Sequence, residues 1–256
     1  MTAAWHDHIG YDHIRNGAMM TQAHDATQDD GSLPDDERTA LVEQIVRHEW
    51  NMFQRTTNEG GRAACQGNWP MFALMRTSQF MPWPIELIRS YLQDLVDAKH
   101  RGRNLVEEKY ARMMASTDPE RYRRDIAPYI PALDDARVAR QERIVACQLD
   151  WARDFTTRFP HIGANMRVLT SDQDTGEQTS YETYLRGELG TYSPRTLGLY
   201  EDFVMRLQAQ GGNLTQLTVA WTMRLAGSGS LDEAEQVQGG SPRDRQGGRH
   251  ADADAI

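Results

Sequence analysis

The sequence predicts an all-α fold: a non-repetitive bundle of roughly seven to nine helices with at most one short β-hairpin near 167–179. Three observations carry this. Apolar residues recur at spacings of three and four along the longer segments. Proline and Ser, Thr, Asp or Asn stand where helices would begin. No segment alternates cleanly between polar and apolar residues, as a half-buried strand would.

Taken in order, Pro34-Asp35-Asp36-Glu37 places acids on the positive end of a first helix that runs to about Gln54. Trp69-Pro70 opens a second helix, which stops before Met81-Pro82. Pro84 sits in the first turn of a third, running to about His100, and a fourth spans Asn104 to about Ser116. Asp118-Pro119 starts a short segment, and Asp134 or Asp135 opens a long helix ending near Phe159. Arg167-Val168-Leu169-Thr170 is the best candidate for extended chain, pairing with Gln178-Thr179 if a hairpin forms. Thr179-Ser180-Tyr181-Glu182 has the form of a capping box, and Gly190 can end the helix it starts. Ser193-Pro194 caps the next helix, closed by Gly211-Gly212, and another follows Asn213. Ser230-Leu231-Asp232-Glu233 repeats the capping-box pattern before a short terminal helix.

These signals divide the chain into an N-terminal segment, 1–34, expected to be disordered or loosely attached, a single helical domain over 35–236, and a disordered tail over 237–256. The net charge of −9 belongs mostly to the two ends, which are rich in Asp and Glu and flank a nearly neutral middle. Without a basic run the chain has no footprint for nucleic acid or for an anionic membrane surface. No apolar stretch approaches the ~20 residues of a spanning helix, and the amino terminus has no secretory pattern. Two cysteines, Cys65 and Cys147, make no disulfide framework. The expectation is a cytoplasmic protein with no nucleic-acid and no membrane partner. Four of the eight histidines (His6, His8, His13 and His24) fall in the N-terminal segment at spacings that fit no compact ligand set. No metal site or cofactor is identified, and the oligomeric state is not readable.

The candidate chemistry lies in three polar clusters. In the first helix Leu41, Val42, Ile45, Val46, Met52 and Phe53 form an apolar stripe, and Glu49 falls in its middle. A carboxylate there is either held by a cation or faces a cavity, where burial would suit it to acid–base work. The glycine-rich turn Asn58-Glu59-Gly60-Gly61-Arg62-Ala63-Ala64-Cys65-Gln66 follows. Arg62 could grip an anion or pair with Glu49, Asn58 and Gln66 could bind substrate, and Cys65 is either a nucleophile or a small packing residue. Next come Arg103, Asn104, Lys109 and Arg112 at a helix start, where backbone N–H groups favour anions and Asn104 can serve as the cap. In the third cluster Tyr181, Tyr184, Leu185 and Glu188 share one helical face. There Tyr184 is a catalytic candidate, while Glu182 and Arg186 form an i,i+4 pair that could reach substrate. The three clusters are expected to converge on one pocket. Phosphate-loop, zinc-protease and nucleophile-elbow motifs are all lacking.

His48-Glu49-Trp50, the Asn58–Gln66 run, Ser78-Gln79-Phe80, Gly102-Arg103-Asn104-Leu105, Lys109-Tyr110-Ala111-Arg112-Met113-Met114 and Ser180–Leu189 together resemble the bacterial domain of unknown function 4125 family over roughly residues 38–236. The resemblance implies a bacterial helical domain and brings no established activity. Members resembling it occur near nucleotidyltransferase-like proteins, which implies a partner or a nucleotide-linked role. Two functional readings stay open. One is an enzyme acting on a small polar or anionic substrate in an inter-helix pocket, with Glu49, Cys65 and Tyr184 as its chemistry. The other is a non-catalytic binding or accessory module whose polar clusters are buried networks.

Overall fold

Helix α1 (Asp35–Arg55) buries the stripe expected of it, with Val42, Ile45, Val46, Met52 and Phe53 all in the core. The computed structural model of the chain describes residues 35–56, 64–175 and 178–240, with the backbone alone for residues 35, 36, 64 and 65. The expectations placed on residues 1–34, on Asn58 and Arg62, on the Cys65 side chain and on the tail beyond 240 therefore lie outside the described residues.

The described residues form eleven α-helices and no strand. After α1 come α2 (Trp69–Phe80), α3 (Ile85–His100), α4 (Leu105–Thr117) and the single turn α5 (Pro119–Arg121). A π turn (Tyr122–Ile126) and a 3-10 turn lead to α6 (Asp135–Arg158), followed by the short α7 (Pro160–Gly163). The chain ends with α8 (Tyr181–Leu189), α9 (Pro194–Ala209), α10 (Leu214–Leu225) and α11 (Leu231–Gly239). Side chains cap the starts as the sequence predicts: Asn104 for α4, Asp134 for α6, Ser193 for α9 and Asn213 for α10, and Asn68 caps α2 as well. At α11 the Ser230–Glu233 capping box closes with both bonds at 3.1 Å.

Two local expectations need correction. Thr179 does not cap α8; Ser180 does, accepting from the Thr183 N–H at 3.2 Å. Glu182 is thereby displaced from the capping box and accepts the Ser171 N–H at 2.6 Å instead. Nor does the 167–170 segment pair as a hairpin. The Val168 and Leu169 carbonyls accept the Tyr181 and Glu182 N–H groups, so extended chain meets the unpaired donors of a helix start.

The helices close a ring of contacts: α1 packs on α3, α3 on α9, α9 on α6, α6 on α8, α8 on α4, and α4 on α1. Helices α2 and α10 pack on each other and run across this ring, α2 resting on α1 and α10 on α6. The main core fills the ring, with Trp83, Phe80, Ile45, Leu95, Ile144 and Leu189 fully enclosed. A smaller core of Phe155, Ile162, Val219, Met223 and Ala234 lies between α6, α7, α10 and α11. The α4–α8 contact is close because Gly187 faces α4. A Cβ there would stand 2.8 Å from the Lys109 carbonyl oxygen and 2.8 Å from Met113 Cγ. Asn104 fastens a second joint, capping α4 with its side-chain oxygen and donating its NH2 to the Met52 carbonyl of α1 at 2.9 Å.

Candidate functional site

Where α2 and α10 cross the ring they leave a cavity of about 270 Å³, walled also by α1, α4 and α8. Most of its wall is apolar or aromatic, including Phe53, Met71, Phe72, Met75, Val106 and Val219. The polar part centres on Arg76 of α2. Its Nε and Nη2 donate to the two oxygens of Glu49, each at 2.6 Å, a bidentate pair between side chains almost wholly out of water. Both Nη atoms also lie 3.4 Å from Glu188 of α8. Tyr91 donates to Glu49 at 2.7 Å, while Gln79 and Tyr192 donate to Glu188. Every oxygen of both carboxylates therefore has a donor, which is the condition for keeping an ion inside a protein.

Lys109 of α4 completes the cluster. Its ammonium donates to the Tyr184 hydroxyl at 2.7 Å and stands 3.5 Å from Glu188. Burial by itself would raise the Glu188 carboxyl, but Arg76 and Lys109 outweigh it and bring that group down to about 2. Burial likewise works against the Lys109 cation, and Tyr184 and Glu188 reverse it, so the amine is held charged. Burial, with Glu49 next to it, pushes the Tyr91 phenol well up, keeping it a neutral donor. Behind the cluster, Tyr181 and Tyr200 both engage Gln148, which lines the same cavity.

Two wall groups are incompletely used. Arg167 donates to the Thr179 carbonyl at 3.0 Å and lies 5.0 Å over the Tyr184 ring, with no carboxylate in ion-pair range among the described residues. The Thr215 hydroxyl, on buried α10 surface close to Tyr181, makes no hydrogen bond of normal geometry.

The sequence candidates separate sharply. Glu49, Lys109 and Tyr184 meet at this cavity. Gln66 is buried beside it but serves the end of α1, donating to the Phe53 and Thr56 carbonyls at 2.7 and 2.9 Å. Arg103 and Arg112 both pair with Glu108 on the other side of α4, and Arg112 also donates to the Pro131 carbonyl at 2.8 Å. Arg186 is clamped by Glu142 through two bonds of 2.7 Å and by Glu182 at 2.6 Å. None of Asn104, Arg103, Arg112, Glu182 and Arg186 lines the cavity. Sequence reasoning missed Arg76, Gln79, Gln148, Arg167 and Thr215, and noted Glu188 only as part of a helical face. A signal for Arg76 existed: it is the one charge in the apolar helix Trp69–Phe80, the same anomaly that marked Glu49.

Among the described residues no three His, Cys, Asp or Glu side chains gather where they could hold a metal ion. No described helix is long and apolar enough to cross a membrane. Compared with known proteins, residues 39–236 match the model of one family, described as a protein of unknown function, DUF4125. No curated protein and no solved structure matches the chain.

Proposed function

The chain belongs to the DUF4125 family, and from that premise we propose that it is a binding module for a small amphiphilic molecule held in the cavity between α1, α2, α4, α8 and α10. One observation carries the reading: an apolar cavity that ends on a fully paired ionic cluster. Such a wall favours a ligand with an apolar body and one polar end. A dry cavity of about 150 Å³ accepts benzene, so about 270 Å³ suits a molecule of roughly a dozen non-hydrogen atoms. The saturation of Glu49 supports binding over acid–base work, since Arg76 and Tyr91 already occupy its oxygens.

The test is mass spectrometry of small molecules released when the purified protein is denatured, repeated on Met75→Trp, which fills the cavity. A molecule carried by the wild type and lost from the variant supports the reading. Equal release from both overturns it.

A catalytic reading has one observation in its favour, the Lys109–Tyr184 pair facing the cavity, where an ammonium can exchange a proton with a phenol. In that case Tyr184→Phe removes turnover while ligand binding persists. Glu49→Gln separates the same two readings. An acid–base role predicts lost turnover with the fold intact, whereas the ion-pair role predicts a stability loss on the order of a few kcal/mol.

A further inference from the structure

The charges around the cavity do not balance. Glu49 and Glu188 supply two negative charges, and Arg76, Lys109 and Arg167 supply three positive ones. Arg76 is shared by both carboxylates and Lys109 is bound to Glu188, so among the described residues the unmatched cation is Arg167. It is also badly placed for a lone cation, because its guanidinium and the Lys109 ammonium contact the same Tyr184 ring, at 5.0 and 4.1 Å from the centroid. Glu188 offsets the Lys109 charge at 3.5 Å, whereas no described carboxylate lies in ion-pair range of Arg167. Thr215 is 8% exposed and lines the same cavity, its hydroxyl close to the Tyr181 phenol without a hydrogen bond of normal geometry. A buried hydroxyl whose neighbouring donor is poorly aligned gains from a better-placed polar group.

Resting on the pocket reading above, we propose that the ligand is a monoanionic amphiphile, a carboxylate on an apolar body. Its carboxylate pairs with Arg167 and Lys109 at the Tyr184 ring, and Thr215 serves as a further hydrogen-bonding contact. The excess of one positive charge sets the valence. A phosphate monoester carries about −1.5 to −2 at neutral pH and would leave buried negative charge unmatched. The apolar wall of Phe53, Met71, Phe72 and Met75 takes the body of the molecule.

The experiment is calorimetric titration of the full chain with octanoate and 4-phenylbutyrate, each against its primary amide, and with octyl phosphate. The same series is run on Arg167→Gln, Thr215→Val and Met75→Trp. The expected result is at least a tenfold preference for acid over amide, weaker binding of octyl phosphate, and loss of the preference in Arg167→Gln. Thr215→Val should weaken binding severalfold and leave the acid-over-amide preference in place. Equal binding of acid and amide, abolished by Met75→Trp, would overturn the anion assignment and leave the pocket reading standing. Binding untouched by Met75→Trp, or no binding of any probe, would overturn both. A preference for octyl phosphate would overturn the monoanion and assign a dianion.

Discussion

Helix α4 carries two buried ionic clusters on its two sides, and their difference separates structural charge from charge placed at a cavity. On one side Glu108 holds Arg103 and Arg112, and Arg112 also donates from Nη2 to the Pro131 carbonyl. That cluster reaches Pro131 and packs Arg112 against Gly190 at the end of α8, and none of its three side chains lines the cavity. On the other side Lys109 joins Arg76, Glu49 and Glu188, groups brought from α1, α2 and α8. Glu108 and Arg112 are as buried as Lys109, Arg76 and Glu188, while Arg103 is part-exposed, and residue types alone do not distinguish the clusters. What differs is that the second faces open volume and carries, with Arg167, a charge that no described carboxylate matches.

The sharpest way to break this comparison is to remove the central cation from each cluster. Arg76→Met strands two buried carboxylates and should cost about 3–5 kcal/mol, or prevent folding. Arg112→Met leaves Glu108 with Arg103 and should cost about 1–3 kcal/mol. Denaturant unfolding of the two variants measures the gap, and equal costs would erase the distinction. The next effect is pH. The Glu188 carboxyl is lower in the folded chain than its ordinary 4.5, so its contribution is complete above that value and is lost as pH falls through about 2. The loss, on the order of 3 kcal/mol, should vanish from the acid limb of Glu188→Gln unfolding curves. If wild type and variant lose stability in parallel below 4.5, Arg76 and Lys109 do not hold the carboxylate as described.

A smaller effect tests the interface between the clusters. Gly187→Ala drives a methyl group against the Lys109 carbonyl and should destabilise by about 1–3 kcal/mol, read as a lower melting temperature. A melting temperature equal to wild type would mean that α8 can move off α4 at no cost. The smallest effect belongs to Arg186. Its side chain is 37% exposed, so Arg186→Gln should change stability by no more than about 1 kcal/mol despite the two-carboxylate clamp. A loss several times larger would place Arg186 among the buried clusters.

Much of the fold could be read from punctuation. Asn104, Asp134, Ser193, Asn213 and Ser230 each start the helix they were expected to start, because caps are local and their signal lies within four residues. The failures were also local competitions. Glu182 had two donors within reach, the start of its own helix and the Ser171 N–H, and took the one brought by tertiary folding. At the site, Glu49 was legible as a charge in an apolar stripe, but its partner was not. Arg76 lies 27 residues away on a helix with no repeat linking it to α1. Arg103, Arg112 and Arg186 resembled site residues by type, and only the positions of Glu108 and Glu142 exclude them from the cavity. Thr215 carried no sequence signal, since the alignment of a buried hydroxyl is defined by its surroundings.

The ring of helices also bears on how the chain is made. Lys109 finds both of its polar partners on α8, and the Tyr184 hydroxyl lies 75 residues downstream of it. Until those residues leave the ribosome the ammonium has only water to bind, so the cavity-facing side of α4 must stay wet while α1 to α3 already exist. Phe53, Phe72, Val106 and Tyr110 then line an open trough where the finished protein has a closed wall. The ligand chamber therefore closes only after α8 and α10 have emerged, and the interval before then exposes its apolar wall to aggregation or chaperone capture.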